Sequence, residues 1–357
     1  GLWALNPVHT STITYLVQRM AAMMSLFFIL SVAFYASGRS LVLKRGSYTS
    51  KSILCFALSF LCMLLAFLSK ENSIMLPPTL ACVELWFFRP HLIAEMWAFI
   101  RRRRILSLVG LMIVLVILYY KVPPLLTAYT YRHFTLSERL LTELRVVVWY
   151  ISVVLWPDPG RLSLEHDFPI STSLIHPPST LACLALLLAM IFWALRERRR
   201  FPLASFGIVW FFLNLAVESS FVPLELVFEH RVYLPSVGLV LSVVVLLRAA
   251  LRRAFLQTSP ANSRKLGWCL VAIIASGLTL ATFSRNTVWE NSVALAQHDA
   301  RINPNCPRAH VNLAVMLNKA HRFQEALISA YRAVEVSRPN YEVYSVAANA
   351  LVLAHSH

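Results

Sequence analysis

The chain has 357 residues, of which 58% are hydrophobic and 14% charged. A soluble domain carries about 25% charged residues, so a conventional water-soluble core is excluded. The formal charge of +16 does not signal a nucleic-acid binder, because the Lys and Arg residues fall between apolar runs rather than on one folded face. Five of the six cysteines (Cys55, Cys62, Cys82, Cys183 and Cys269) lie inside apolar runs and only Cys306 in a polar one, so neither a disulfide framework nor a zinc spacing emerges.

In chain order, the phrase GLWALNPVHT begins at Gly1 as if in mid-sentence, and the chain closes at His357 soon after a helical repeat; both ends are expected to be cut. Apolar runs suited to crossing about 30 Å of hydrocarbon cover Ile13–Ala36, Ile53–Leu68, Ile105–Tyr120, Leu181–Leu195, Leu203–Val217, Val232–Leu247 and Leu266–Phe283. The shorter Ile74–Phe88, opening on Pro77 and Pro78, must cross if its neighbours do, which brings the expectation to about eight crossings.

Arg139–Trp156 is the ambiguous segment, apolar on most faces but carrying Glu143 and Arg145. Charge decides it. If it does not cross, residues 38–52, 89–104, 196–201 and 248–265 share one side with 18 Lys and Arg, against 6 in residues 69–74, 121–143, 157–177 and 217–231. The positive-inside rule then places the first group in the cytoplasm and makes Arg139–Trp156 a re-entrant or interfacial helix. Arg89–Arg104 is itself predicted to be interfacial, since Trp97, Phe99 and Ile100 precede four arginines that anionic headgroups would attract. Most carboxylates outside the terminal repeat fall on the opposite side.

After residue 284 the composition turns water-compatible and helical, giving a membrane domain over 1–284 and a second segment over 285–357. His310–Pro339 carries a tetratricopeptide pattern: Leu313, Ala314 and Leu317 on a first helix, His321 and Arg322 at the turn, Phe323, Ala326 and Ala333 on a second, then Pro339. The small residues let paired helices approach closely. His310 stands where Trp is usual and the proline comes one position late.

No phosphate loop, dinucleotide fingerprint, metalloprotease helix or nucleophile elbow occurs, so chemistry must be built at the ends of the membrane helices. Four polar clusters emerge on the less basic side: Asn6–Thr10 with Gln18 and Arg19, Ser69–Ser73, Leu164–Pro169, and Val217–Ser236. Cations close to membrane depth mark sites or pathways, or simply snorkel to headgroups. Arg19, Lys70 and Arg231, each beside His or Glu (His9, Glu71, Glu229 with His230), together suggest a shared anionic ligand, most naturally a lipid phosphate. Asp167, with His166, is a weaker loop candidate. Glu225 and Glu229 would share a face on a helical turn, and would not if extended.

The phrases LNPVHTSTITYLVQRMA, LLAFLSKENSIMLPP, VVWYISVVLWPDPGRLSLEHDFP and FVPLELVFEHRVYLPSVGL, followed by a Trp289-containing juncture and the helical repeat, resemble the bacterial relatives of the transmembrane-and-tetratricopeptide O-mannosyltransferases. The resemblance implies an all-α fold: a polytopic transmembrane helix bundle of the type C glycosyltransferase (GT-C) kind followed by tetratricopeptide hairpins. It also implies transfer of a sugar from a polyprenyl-phosphate carrier at the outer face of a bacterial inner membrane, with the repeats on the periplasmic side. The catalytic carboxylate of such folds sits in the first external loop, expected upstream of Gly1, so the base is unassigned here.

The expectation is therefore a glycosyltransferase with Arg19, Lys70, His230 and Arg231 on the donor phosphate, and His9, Gln18, Glu71, Asp167 and Glu229 as secondary candidates. No metal or nucleic acid is expected; the partners are membrane lipids and a protein acceptor held by the repeats. The rival is a non-enzymatic membrane scaffold whose repeats recruit partners.

Overall fold

The computed structural model describes residues 1–91, 95, 101–254, 260–337 and 341–356. All regular structure among the described residues is helical, with no strand. The α-helices are α1 (Thr10–Thr14), α2 (Arg19–Arg45), α3 (Ser50–Ser69), α4 (Leu76–Val83), α5 (Arg104–Thr127), α6 (Leu136–Leu155), α7 (Ser179–Arg196), α8 (Pro202–Leu215), α9 (Pro235–Ala254) and α10 (Pro260–Val288), followed by α11 (Ser292–Ile302), α12 (Pro307–Lys319), α13 (Phe323–Val336) and α14 (Tyr341–Ser356).

Local chemistry explains the boundaries. Gly46 ends α2 with a left-handed φ of 69°, and Thr49 and Ser52 form a reciprocal capping box that starts α3. A second box, Thr135 with Glu138, starts α6.

Among the described residues, five helices are long and apolar enough to cross a membrane: Leu16–Arg45, Ser50–Ser69, Ser179–Arg196, Pro235–Ala254 and Lys265–Val288. Five of the eight expected crossings correspond to these. Ile105–Tyr120 lies inside the 24-residue α5, but the other two runs form short helices. α8 has 14 residues, a rise of about 21 Å, and α4 has 8 before passing into a π turn at Glu84–Phe88. The apolar count of Leu203–Val217 and Ile74–Phe88 says nothing about where helix gives way to 3-10 turn and loop. The backbone leaves regular α-helix in the polar segments 70–75 and 216–234.

Close helix contacts fix the bundle. Ser31 and Ser59 each donate a hydroxyl proton to the other's carbonyl across α2 and α3, both at 2.8 Å. α8 and α9 meet at Gly207 and Gly238, where a Cβ on Gly207 would stand 2.3 Å from the Gly238 carbonyl oxygen. Ser242 on α9 donates to the Ala204 carbonyl on α8 at 2.8 Å. Small residues here serve close backbone approach, as in other membrane bundles.

Side-chain contacts define two ends. At the basic end, Arg39 pairs with Glu84 and the Trp86 indole donates to Ser205 at 2.9 Å. At the polar end, Lys70 faces Glu218 at 3.7 Å, Asn6 donates to the Val154 carbonyl at 2.8 Å, and Thr282 donates to the Leu5 carbonyl at 2.8 Å.

Both ends of α6 lie at the polar end. Near its start, Arg139 donates to the carbonyls of Glu218 and Ser220, each at 2.8 Å; near its finish, Tyr150 donates to the Phe228 carbonyl at 3.1 Å and Val154 meets Asn6. The returning chain runs back along it, with the Ser171 amide donating to Thr142 at 2.8 Å. Both ends of α6 therefore touch the same group of loops. Val146, Tyr150 and Val153 form a core there with Phe211, Leu215 and Leu239.

Beyond α10, α12 and α13 form an antiparallel hairpin with Ala314, Leu317, Ala326 and Ala333 buried between helices. His321 closes the turn with a left-handed φ of 56°. His310 is buried, its Nε2 3.0 Å from the Pro304 carbonyl. Pro339 and the centre of the Arg89–Arg104 segment lie outside the described residues.

Candidate functional site

The polar end is organised by the loop 216–234, which Ser219, Ser220 and Pro223 keep out of regular helix. Cations tie it down from outside. Arg139 is fully buried between the loop carbonyls and Glu143, 2.9 Å away, and Arg132 pairs with Glu225 at 2.5 Å while donating to the Pro223 carbonyl at 3.0 Å. Buried carbonyls of an irregular segment need such donors. Glu225 and Glu229 consequently do not share a face: the chain between them is extended and their partners differ.

The loop ends in a 3-10 turn, Glu229–Val232. With three residues per turn, consecutive side chains diverge by about 120°, so Glu229, His230 and Arg231 reach different surroundings. His230 and Arg231 line a narrow crevice with Lys70, Asn72, Asn214 and Glu218, walled by Ala21 and Met24 of α2. Its volume of about 10 Å³ has room for roughly one water.

Two of the crevice groups already have partners inside the protein. Lys70 has Glu218; Arg231 donates through Nη1 to the carbonyls of Glu225 at 2.7 Å and Leu226 at 3.1 Å and lies 5.2 Å from the Phe228 ring centre. His230 stacks on the same ring, 5.2 Å between centres. Burial first, then the charges of Lys70 and Arg231, push its pKa down to about 3. His230 is thus neutral near pH 7 and supplies a hydrogen-bonding group rather than the positive charge expected of it.

Arg19 stands apart from this group. It is exposed, and its Nε donates to the Ile13 carbonyl at 3.2 Å. Gln18 ends the 3-10 turn before α2, and Glu71 is exposed at the start of another such turn. His9 is buried in an aromatic cage with Trp3 and Tyr233, its ring 4.9 Å and 5.0 Å from theirs, and burial pushes its pKa down to about 3. Both of its ring nitrogens lack a hydrogen-bond partner among the described residues.

Glu229 faces the other way, into a buried polar hub. It accepts the Ser163 amide proton at 2.5 Å, lies 3.3 Å from His166 Nε2, and has Arg285 Nη2 3.9 Å away. Arg285 is fully buried and lies 6.0 Å from the Trp289 ring. Asp167 is exposed, but its amide donates to Asn303 at 3.2 Å. Sequence reasoning treated Arg285 only as the place where composition changes. A lone cation closing the charge-free run Leu266–Phe283 is itself a signal of an interior role.

A second, wider concavity contains almost no ionisable chemistry. It is an apolar groove of about 770 Å³ between α9, α10 and the end of α6, with Asp158 its sole ionisable lining residue. Two cations and a neutral imidazole converge in the smaller crevice, which makes it the candidate site. Among the described residues no cluster of three His, Cys, Asp or Glu side chains could hold a metal ion.

Among the described residues, the fold and site thus define a helical protein with five helices long and apolar enough to cross a membrane and a polar pocket at one end of the bundle. No family model matches the chain, and no curated protein or solved structure is significantly similar to it.

Proposed function

We propose that the chain is a membrane glycosyltransferase that moves a sugar from a polyprenyl-phosphate carrier to a protein or glycan acceptor at the non-cytoplasmic face, the helical hairpins holding the acceptor. The observation that carries this reading is the convergence of Lys70, His230 and Arg231 in one crevice at the end where basic residues are scarce. When the bond from sugar to phosphate breaks, its electrons pass to the phosphate oxygen. Lys70 and Arg231 stabilise that growing charge, while neutral His230 contributes a hydrogen bond. Binding requires Lys70 to exchange Glu218 for the ligand, which opens the crevice.

The scaffold reading has its own support: Arg231 is already engaged with two carbonyls, and the crevice is closed to anything larger than water. The two readings separate on binding by the intact protein in detergent. Glycosyl transfer requires that a polyprenyl phosphate bind at least about tenfold more tightly than the matching polyprenol, a difference of about 1.4 kcal/mol, and that Lys70→Ala abolish the preference. Equal affinity for phosphate and alcohol leaves only the scaffold. Arg231→Ala is the poorer probe, because it also frees the carbonyls of residues 225 and 226.

A further inference from the structure

The loop that supports Glu229 is itself held by α11, the first helix beyond the membrane bundle. Asp299 Oδ1 accepts the Ser163 hydroxyl at 2.7 Å and the Leu164 amide at 3.1 Å. Asn303 Nδ2 donates to Ser163 Oγ at 3.0 Å and to the Glu165 carbonyl at 2.7 Å, while its Oδ1 accepts the Asp167 amide. His298 Nε2 lies 3.1 Å from the Leu162 carbonyl. Asp299, Asn303 and Ser163 are all buried. On its other side the same loop presents the Ser163 amide to Glu229 at 2.5 Å, and Glu229 is followed directly by the two crevice residues His230 and Arg231.

The hydrogen bonds of a buried network strengthen one another, so losing one member weakens its neighbours as well. We infer that Asp299 and Asn303 are positioning residues: through the 162–167 loop they hold Glu229, and with it the turn that presents His230 and Arg231 to the crevice. α11 is then a part of the membrane-end site rather than a spacer before the hairpins. The exchange measurement below is independent of the glycosyltransferase reading; only the lipid-binding measurement rests on it.

Amide hydrogen exchange on the intact protein tests the inference. Asp299→Ala directly frees the Leu164 amide, whereas the Ser163 amide and residues 226–232 keep their own partners. Transmission predicts exchange about tenfold faster in both 162–167 and 226–232, with Asp299→Asn, which keeps the acceptor oxygen, close to wild type. Polyprenyl-phosphate affinity should fall about tenfold in the alanine variant and recover in the asparagine one. Should Asp299→Ala fail to fold, Asn303→Ala loosens the same loop and must give the same pattern. Faster exchange confined to 162–167, with 226–232 unchanged, overturns the inference. A wild-type protein that binds no polyprenyl phosphate removes the glycosyltransferase reading and leaves the exchange result to decide the coupling.

Discussion

Two groups of cations, one at each end of the bundle, are used in opposite ways. At the basic end, Lys44, Arg45, Arg101, Arg102, Arg199 and Arg252 are exposed. At the polar end, basic residues are few, yet Arg139, Arg231 and Arg285 are buried and Lys70 and Arg132 half-buried. Each has carboxylates or carbonyls around it. The first set suits anionic headgroups and needs no fixed geometry; the second holds an irregular loop whose buried carbonyls would otherwise lack donors, at about 1–3 kcal/mol each. Burial separates construction from surface attraction better than charge count does.

That contrast is broken most severely at Arg139. Arg139→Ala leaves Glu143 unpaired and loop carbonyls without donors, and is expected to lower the stability of the detergent-solubilised protein by about 3–5 kcal/mol. Arg102→Ala should change it by less than about 0.5 kcal/mol. Comparable losses in thermal unfolding would erase the distinction between the ends.

A smaller effect is expected where the helices that frame the loop meet. Gly207→Ala places a methyl group 2.3 Å from the Gly238 carbonyl oxygen, so α8 and α9 must separate, at about 1–3 kcal/mol. The contact of Lys70 with Glu218 should weaken in parallel, because Asn214 lies in the last turn of α8 and Glu218 just beyond it. An unchanged melting temperature would show that the two helices have slack.

The mildest perturbation is pH. His9 and His230 have folded pKa values near 3, below the ordinary histidine value of about 6.5. The unfolded chain therefore binds more protons between these values, and the stability contributed by neutral burial, present in full above about pH 6.5, is lost as pH falls toward 3. His9→Phe, which keeps the aromatic cage with Trp3 and Tyr233, should flatten that acid limb. An acid limb as steep as wild type would assign the loss to other groups.

Much of the scaffold was legible because charge-free runs are direct evidence for α2, α3, α7, α9 and α10, and the positions of Ala314, Ala326 and Ala333 announce close helix pairing. Hydropathy overstated α4 and α8 because it counts apolar residues without knowing where the backbone leaves the helix.

The site was readable in parts. Lys70, His230 and Arg231 do converge, but sequence alone could not say that a 3-10 turn splits Glu229 from its two neighbours, or that burial leaves His230 uncharged. Arg285 arrives at Glu229 from more than fifty positions along the chain, and Asp299 reaches Ser163 across 136. No local pattern encodes such pairs.

The central claim is that loop 216–234, α6 and the helical hairpins all stand at one end of the bundle, opposite the arginine clusters. Single cysteines at Arg102, Trp156 and His321, in a background lacking the native six, test it with a membrane-impermeant thiol reagent on sealed vesicles of both orientations. Trp156 and His321 should label from one side and Arg102 only from the other. Labelling of Trp156 together with Arg102 would mean that α6 crosses the membrane, and would contradict the account at its root.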